Sequence, residues 1–188
     1  MVTLTSLWMP ILLSAVLVFV ASAILHMLLP IHRRDYKKVP GEDKLLGVMR
    51  DIGVAPGDYV IPCPDDPKQM NSPEMVEKYN AGPVGFLTVM PSGMPKMTKL
   101  LTQWFVYCLV VSLLTAYLTG RTMGPGAGYL AVFRAAGTAS FLAYSMAHIS
   151  GSIWQGRAWS LTFKNIFDGL IYCMLTAGSF AGLWPEMS

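Results

Sequence analysis

Asp168 stands inside an apolar run, "SLTFKNIFDGLIYCMLTAGSFAGLWP" at residues 160–185, with Lys164 one helical turn before it. Along that run Asn165, Asp168, Tyr172, Thr176 and Ser179 follow at steps of three or four, and in the preceding run Ser140, Tyr144 and His148 follow at steps of four. Such steps fall on one face of a helix, so each run carries a polar stripe. A carboxylate, an ammonium, phenols and imidazoles on facing helices can move protons, bind a small polar ligand, or tie helices together by hydrogen bonds. An ionised Asp in lipid costs about 2.5–3.5 kcal/mol on insertion scales, so Asp168 should face the interior and find a partner. Lys164 is the closest in sequence, with Tyr144 and His148 next. If the two runs meet one membrane boundary near residues 150 and 161, a rise of about 1.5 Å per residue brings Tyr144 and Asp168 to equal depth, with His148 level with Lys164 and Asn165. His26 falls at about the same height. The cluster expected is therefore Asp168, Lys164, His148, Tyr144, His26 and Asn165, and the sequence favours a structural network there over a pocket open to the cytoplasm.

Four apolar runs must position these residues. The chain has 188 residues, 53% of them hydrophobic and 13% charged, and a mean hydropathy of +0.46, which places it in the membrane class. A hydrocarbon core of about 30 Å needs roughly 20 apolar residues per helix. The expected fold is an all-α membrane protein: a four-transmembrane-helix bundle with a small α/β or irregular cytoplasmic insert between the first two helices. Spans are expected at 1–30, 97–120, 129–151 and 160–185, with the insert at 31–96, turns at 121–128 and 152–159, and a tail at 186–188. The first run has no basic residue before it and is too long for the apolar part of a signal peptide, so it reads as a retained anchor.

Basic residues set the orientation. Arg33, Arg34, Lys37 and Lys38 follow the first run, Lys96 and Lys99 precede the second, and Arg157 lies between the third and fourth, whereas the other side carries Arg121 alone. The positive-inside rule puts the insert in the cytoplasm and both termini outside, in what reads as a bacterial inner membrane. Arg33, Arg34, Lys37 and Lys38 can meet anionic headgroups, and Arg134, near the outer end of its run, can snorkel to headgroups or reach Glu186. Membrane lipid is thus an expected partner and nucleic acid is not.

The insert balances nine Lys and Arg against nine Asp and Glu. Within it "GEDKLLGVMRDIG" reads as a short amphipathic helix closed by Gly53, and "NSPEMVEKYNAG" as a second, with Ser72 as N-cap, Pro73 in the first turn and Gly82 at the end. "DYVIPCP" and "GFLTVMPSG" read as two short strands able to pair, together forming a small cap on the helix ends. Cys63, Cys108 and Cys173 have no paired spacing and are expected to stay reduced. Phosphate-loop, zinc-protease, serine-hydrolase and dinucleotide signatures are absent, and "GPGAG" at 124–128 reads as a turn, so no catalytic or metal-binding set is assigned. His26 and His148 could ligate a haem from different helices, but both sit near the boundary and belong to no pair motif, so no cofactor is expected.

Small residues at every fourth position, Ala135, Ala139, Ala143, Ala147 and Gly151, form a ridge that lets a neighbouring helix come close, and Gly178 and Gly182 give the fourth run a matching face. These two runs are expected to pack as a tight hairpin through those faces. Small size and close-packing ridges favour an accessory or scaffolding subunit of a larger membrane assembly, with other membrane-protein subunits or further copies of the chain as partners. The alternatives are a small oligomeric transporter or channel with a polar pocket, and a haem- or quinone-binding redox protein.

Overall fold

The computed structural model describes residues 1–186; Met187 and Ser188 of the expected tail lie outside the described residues. The chain divides into two compact units, one running to Asp35 and resuming at Pro95, the other spanning Tyr36–Met94. The first unit holds four long helices: α1 (Thr5–Leu28), α4 (Met97–Thr122), α5 (Tyr129–Trp154) and α6 (Trp159–Gly182). The second holds α2 (Glu42–Asp51), β1 (Gly57–Ile61), α3 (Pro73–Ala81) and β2 (Gly85–Val89). Among the described residues, α1, α4 and α5 are long and apolar enough to cross a membrane. α6 has similar length, but Lys164, Asn165 and Asp168 in its first half keep it outside that group.

The four long helices close a ring in which α4 packs on α1 and α5, and α6 on α5 and α1. At one end the Val2 N–H donates to the Gly120 carbonyl at 3.0 Å and the Gly126 N–H to the Pro185 carbonyl at 2.8 Å. The Trp184 indole N–H donates to the Gly124 carbonyl there, at 2.9 Å. Both chain ends and the α4–α5 turn therefore share the termini end, and neighbouring helices run antiparallel. The opposite end, from which the insert leaves, holds Leu28, Met97, Trp154 and Trp159.

Side chains in this unit are sorted by size and polarity in an unusual sense. Ser14, Ala15, Ser112, Thr115, Ala116, Thr119, Ser140 and Thr176 are buried, while Leu12, Leu13, Val16, Val20, Val110, Leu113 and Leu114 are exposed. Small buried side chains let backbones approach, and their hydroxyls find partners: Ser14 donates to Ser112 at 2.9 Å and Trp104 donates to Ser22 at 2.7 Å. The larger apolar contacts gather toward the termini end around Leu7, Val132, Phe180 and Trp184, and toward the insert end around Val18, Leu25, Val111, Tyr144 and Tyr172.

The expected hairpin of α5 and α6 is present, but its contact differs from the small-residue ridge. Ala143 and Ala147 are exposed, and Ala135 and Ala139 turn instead into a surface groove beside α4. Gly178 and Gly182 have open space where a side chain would stand. Close approach falls at other glycines: a methyl on Gly137 would meet Ala177 at 3.3 Å, and one on Gly169 would overlap the Ser145 hydroxyl and lie 3.3 Å from the Tyr144 backbone. The reason is rotational phase. Ala136, Ser140 and Tyr144 face the core, which puts the alanines one residue away on the flank.

The two helices and the strand pair expected of the second unit are present. Ser72 accepts from the Met75 N–H at 3.3 Å, with Pro73 opening α3, and α2 starts at Glu42 and is followed by Gly53 at φ 71°. β1 and β2 pair antiparallel with Gly57 opposite Val89 and Ile61 opposite Gly85. Met75 is the buried hydrophobic side chain among the described residues of this unit.

Candidate functional site

The site lies at the insert end of the four-helix unit, and two of its walls are built from irregular helix. α1 widens into a π-helical turn at Ile24–Leu28, which carries His26, and α5 does the same at Leu142–Met146, which carries Tyr144. Single π turns inside α-helices recur at functional sites because they re-aim side chains and loosen backbone carbonyls. Here Tyr107 donates to the Ala143 carbonyl at 2.9 Å. Gly169 brings α6 against the α5 turn.

Between these walls is a cavity of about 400 Å³, with His26 from α1, Trp104 and Tyr107 from α4, Tyr144 and His148 from α5, and Asn165, Asp168 and Tyr172 from α6 on its walls. Every long helix contributes. The aromatic residues form one packed group, with Tyr144 edge-on to Tyr107 at 5.8 Å and to Tyr172 at 5.5 Å between ring centres. Tyr144 and Tyr172 are buried with their hydroxyls unpaired.

Asp168 is 3% exposed and faces the interior, as its cost in lipid requires. Its neighbours, however, are His26, whose Nε2 is 3.5 Å from Oδ2, and His32, whose Nε2 is 3.0 Å from the same oxygen. Lys164 is not its partner. The lysine ammonium reaches back to the Ile31 carbonyl at 2.8 Å and to Asp35 Oδ1 at 2.5 Å. The long lysine side chain carries its charge toward the insert end, away from Asp168 one turn further along the same helix. Of the residues expected to cluster, the structure joins His26, Tyr144, His148, Asn165 and Asp168 around one cavity and sets Lys164 beside it. His148 Nδ1 and Asn165 Nδ2 stand 3.5 Å apart.

Two members escape the sequence reading, His32 and Asp35. The chain turns sharply after α1 into a single helical turn at Pro30–His32, which folds "IHRRD" back onto the bundle. His32 Nδ1 then lies 2.5 Å from Asp35 Oδ2, and both side chains are more than nine-tenths buried. Burial pushes the Asp35 carboxyl up, but the hydrogen bonds from Lys164 and His32 outweigh it and hold the group below its ordinary value. Asp35 is thus a carboxylate that orients His32. The available signal was a His and an acid three residues apart just beyond an apolar run, but the surrounding Arg33, Arg34, Lys37 and Lys38 made the stretch read as a topology marker. Those four basic side chains are exposed, and Lys38 pairs with Glu42 at 3.4 Å. Arg134 is exposed, and no ion pair joins it to another described residue.

No family model, curated protein or solved structure matches the chain. The function must be read from the site itself.

Proposed function

We propose that this is an integral membrane protein of four spans whose insert-end cavity binds a small polar ligand. The observation that carries the reading is the cavity: a space of about 400 Å³ shared by four helices, with the buried Asp168 carboxylate and the unpaired hydroxyls of Tyr144 and Tyr172 on its wall. Pockets of this volume with a few convergent polar groups are the usual form of small-molecule sites, and a purely structural network would pair its members. Membrane insertion is supported by the apolar exteriors of α1, α4 and α5, and α6 crosses as the second arm of a hairpin with its polar half turned inward. The basic residues at the insert end support a cytoplasmic insert with both termini outside, in a bacterial inner membrane.

Water access tests the pocket. In a Cys63→Ser protein, where Cys108 and Cys173 are buried, Asn165→Cys on the cavity wall is expected to react rapidly with a charged methanethiosulfonate in membranes. Met174→Cys, on the exposed apolar face of α6, is expected to react slowly. Equal, slow reaction at both positions would make the cluster a sealed structural network.

An accessory-subunit role is favoured by one separate observation, the exposure of Ala143 and Ala147, which leaves a small-residue face unused inside the chain. Such a face suits a helix of another subunit or copy. The mass of the detergent-solubilised particle tests it: a monomer from native membranes would oppose it.

A further inference from the structure

His26, His32 and Asp168 each offer one ligand atom, and these atoms lie within 4.8 Å of one another. We propose that they form a binding site for one divalent first-row transition-metal ion, with Asp35 and Lys164 orienting His32 from behind. This deepens the pocket reading and rests on it for the ion's route and for its open coordination positions.

The argument begins at Asp35. Bound by the Lys164 ammonium, it is a carboxylate and only accepts, so His32 Nδ1 carries the proton that it receives. His32 Nε2 is then the ring nitrogen left to meet Asp168 or a metal ion. It faces Asp168 Oδ2 at 3.0 Å. A ring nitrogen and a carboxylate oxygen this close in a buried place need a cation between them, a proton or a metal ion. A metal ion there would replace the proton and bind both atoms. Ligand atoms about 2.1 Å from a common metal stand about 3.0–3.4 Å apart in octahedral or tetrahedral geometry. The distances of 3.0 and 3.5 Å from Oδ2 to the two imidazoles fit that spacing.

The donor set indicates the class of ion. Two imidazoles and one carboxylate suit zinc, iron(II), cobalt or manganese, whereas magnesium and calcium prefer all-oxygen sets. A carboxylate behind a ligating histidine fixes its tautomer and raises its basicity, the role Asp35 fills. The rings of His26 and His32 are stacked, 4.2 Å between centres, so joint coordination requires His26 to turn out of the stack. Its side chain is 46% exposed and free to do so. His26 and Asp168 line the cavity, from which a ligand or water would complete the shell.

The full-length Cys63→Ser protein, purified in detergent on a tag without histidines and stripped with EDTA, is titrated with Co²⁺ at neutral pH, followed by visible absorption and then competed with Zn²⁺. One Co²⁺ per chain, displaced by Zn²⁺, is expected. Affinity should fall at least tenfold in Asp168→Asn and His26→Ala, and roughly 10- to 100-fold in Asp35→Asn, which touches no metal. Circular dichroism and gel filtration establish that each variant is folded; should Asp168→Asn fail, His26→Ala, with its half-exposed ring, carries the test. Absence of stoichiometric uptake, or uptake indifferent to both His26→Ala and Asp168→Asn, overturns the site. Failure with a reactive Asn165→Cys overturns the metal and leaves the pocket, whereas an unreactive Asn165→Cys removes the pocket itself.

Discussion

Lys164 sets its ammonium between the Asp35 carboxylate and the Ile31 carbonyl, so its removal strands a buried acid. Lys164→Met is expected to lower stability by about 1–3 kcal/mol, the cost of leaving such a group unsatisfied. A double-mutant cycle with Asp35→Asn, read by thermal unfolding in detergent, should give a coupling of about 1 kcal/mol or more, and the cycle with Asp168→Asn a coupling near zero. The reverse pattern would restore Lys164 as the partner of Asp168. At Asp168 itself, Asn keeps the shape, whereas Leu removes the acceptor that His32 and His26 face. Asp168→Leu should therefore unfold at lower temperature than Asp168→Asn.

α5 and α6 meet where Gly169 leaves room for the π turn of α5. A methyl at Gly169 would collide with Ser145 and press on the Tyr144 backbone, and Gly169→Ala is expected to cost about 1–3 kcal/mol by overpacking. Ala143→Leu, on the exposed side of the same turn, should leave the melting temperature unchanged. If Ala143→Leu destabilises and Gly169→Ala does not, the phase of α5 is wrong. In the insert, Ser72 caps α3, and Ser72→Ala should cost about 1 kcal/mol, seen as faster amide exchange in α3. The elements of the insert were legible because caps, prolines and alternating strands are local signals. The α5–α6 contact was not: a repeat of small residues marks a face that permits close approach, and the neighbours available decide which permitted face is used.

For the whole chain, orientation is the property most open to test. A reagent that cannot cross the membrane should leave the exposed Cys63 unmodified in intact cells and label it after lysis. A periplasmic reporter fused to the C-terminus should be active if α6 crosses. Labelling of intact cells would invert the topology, and an inactive reporter would leave α6 short of the far side. The second readout bears on the helix that length and apolarity alone leave outside the spanning group.

Sequence by itself determined where the long helices lie, the hairpin of α5 and α6, the caps and strands of the insert, and the inward aim of Asp168. These follow from periodicity, local backbone chemistry and the cost of a charge in an apolar run, all of which act over a few residues. Only tertiary structure decided the partners of Asp168. His32 reaches it, held from behind by Asp35, because the chain reverses after Leu28, and Lys164 is drawn from Asp168 because a buried acid from another segment lies within its reach. Such choices depend on which distant side chains share a space, a quantity that spacing along one helix does not contain.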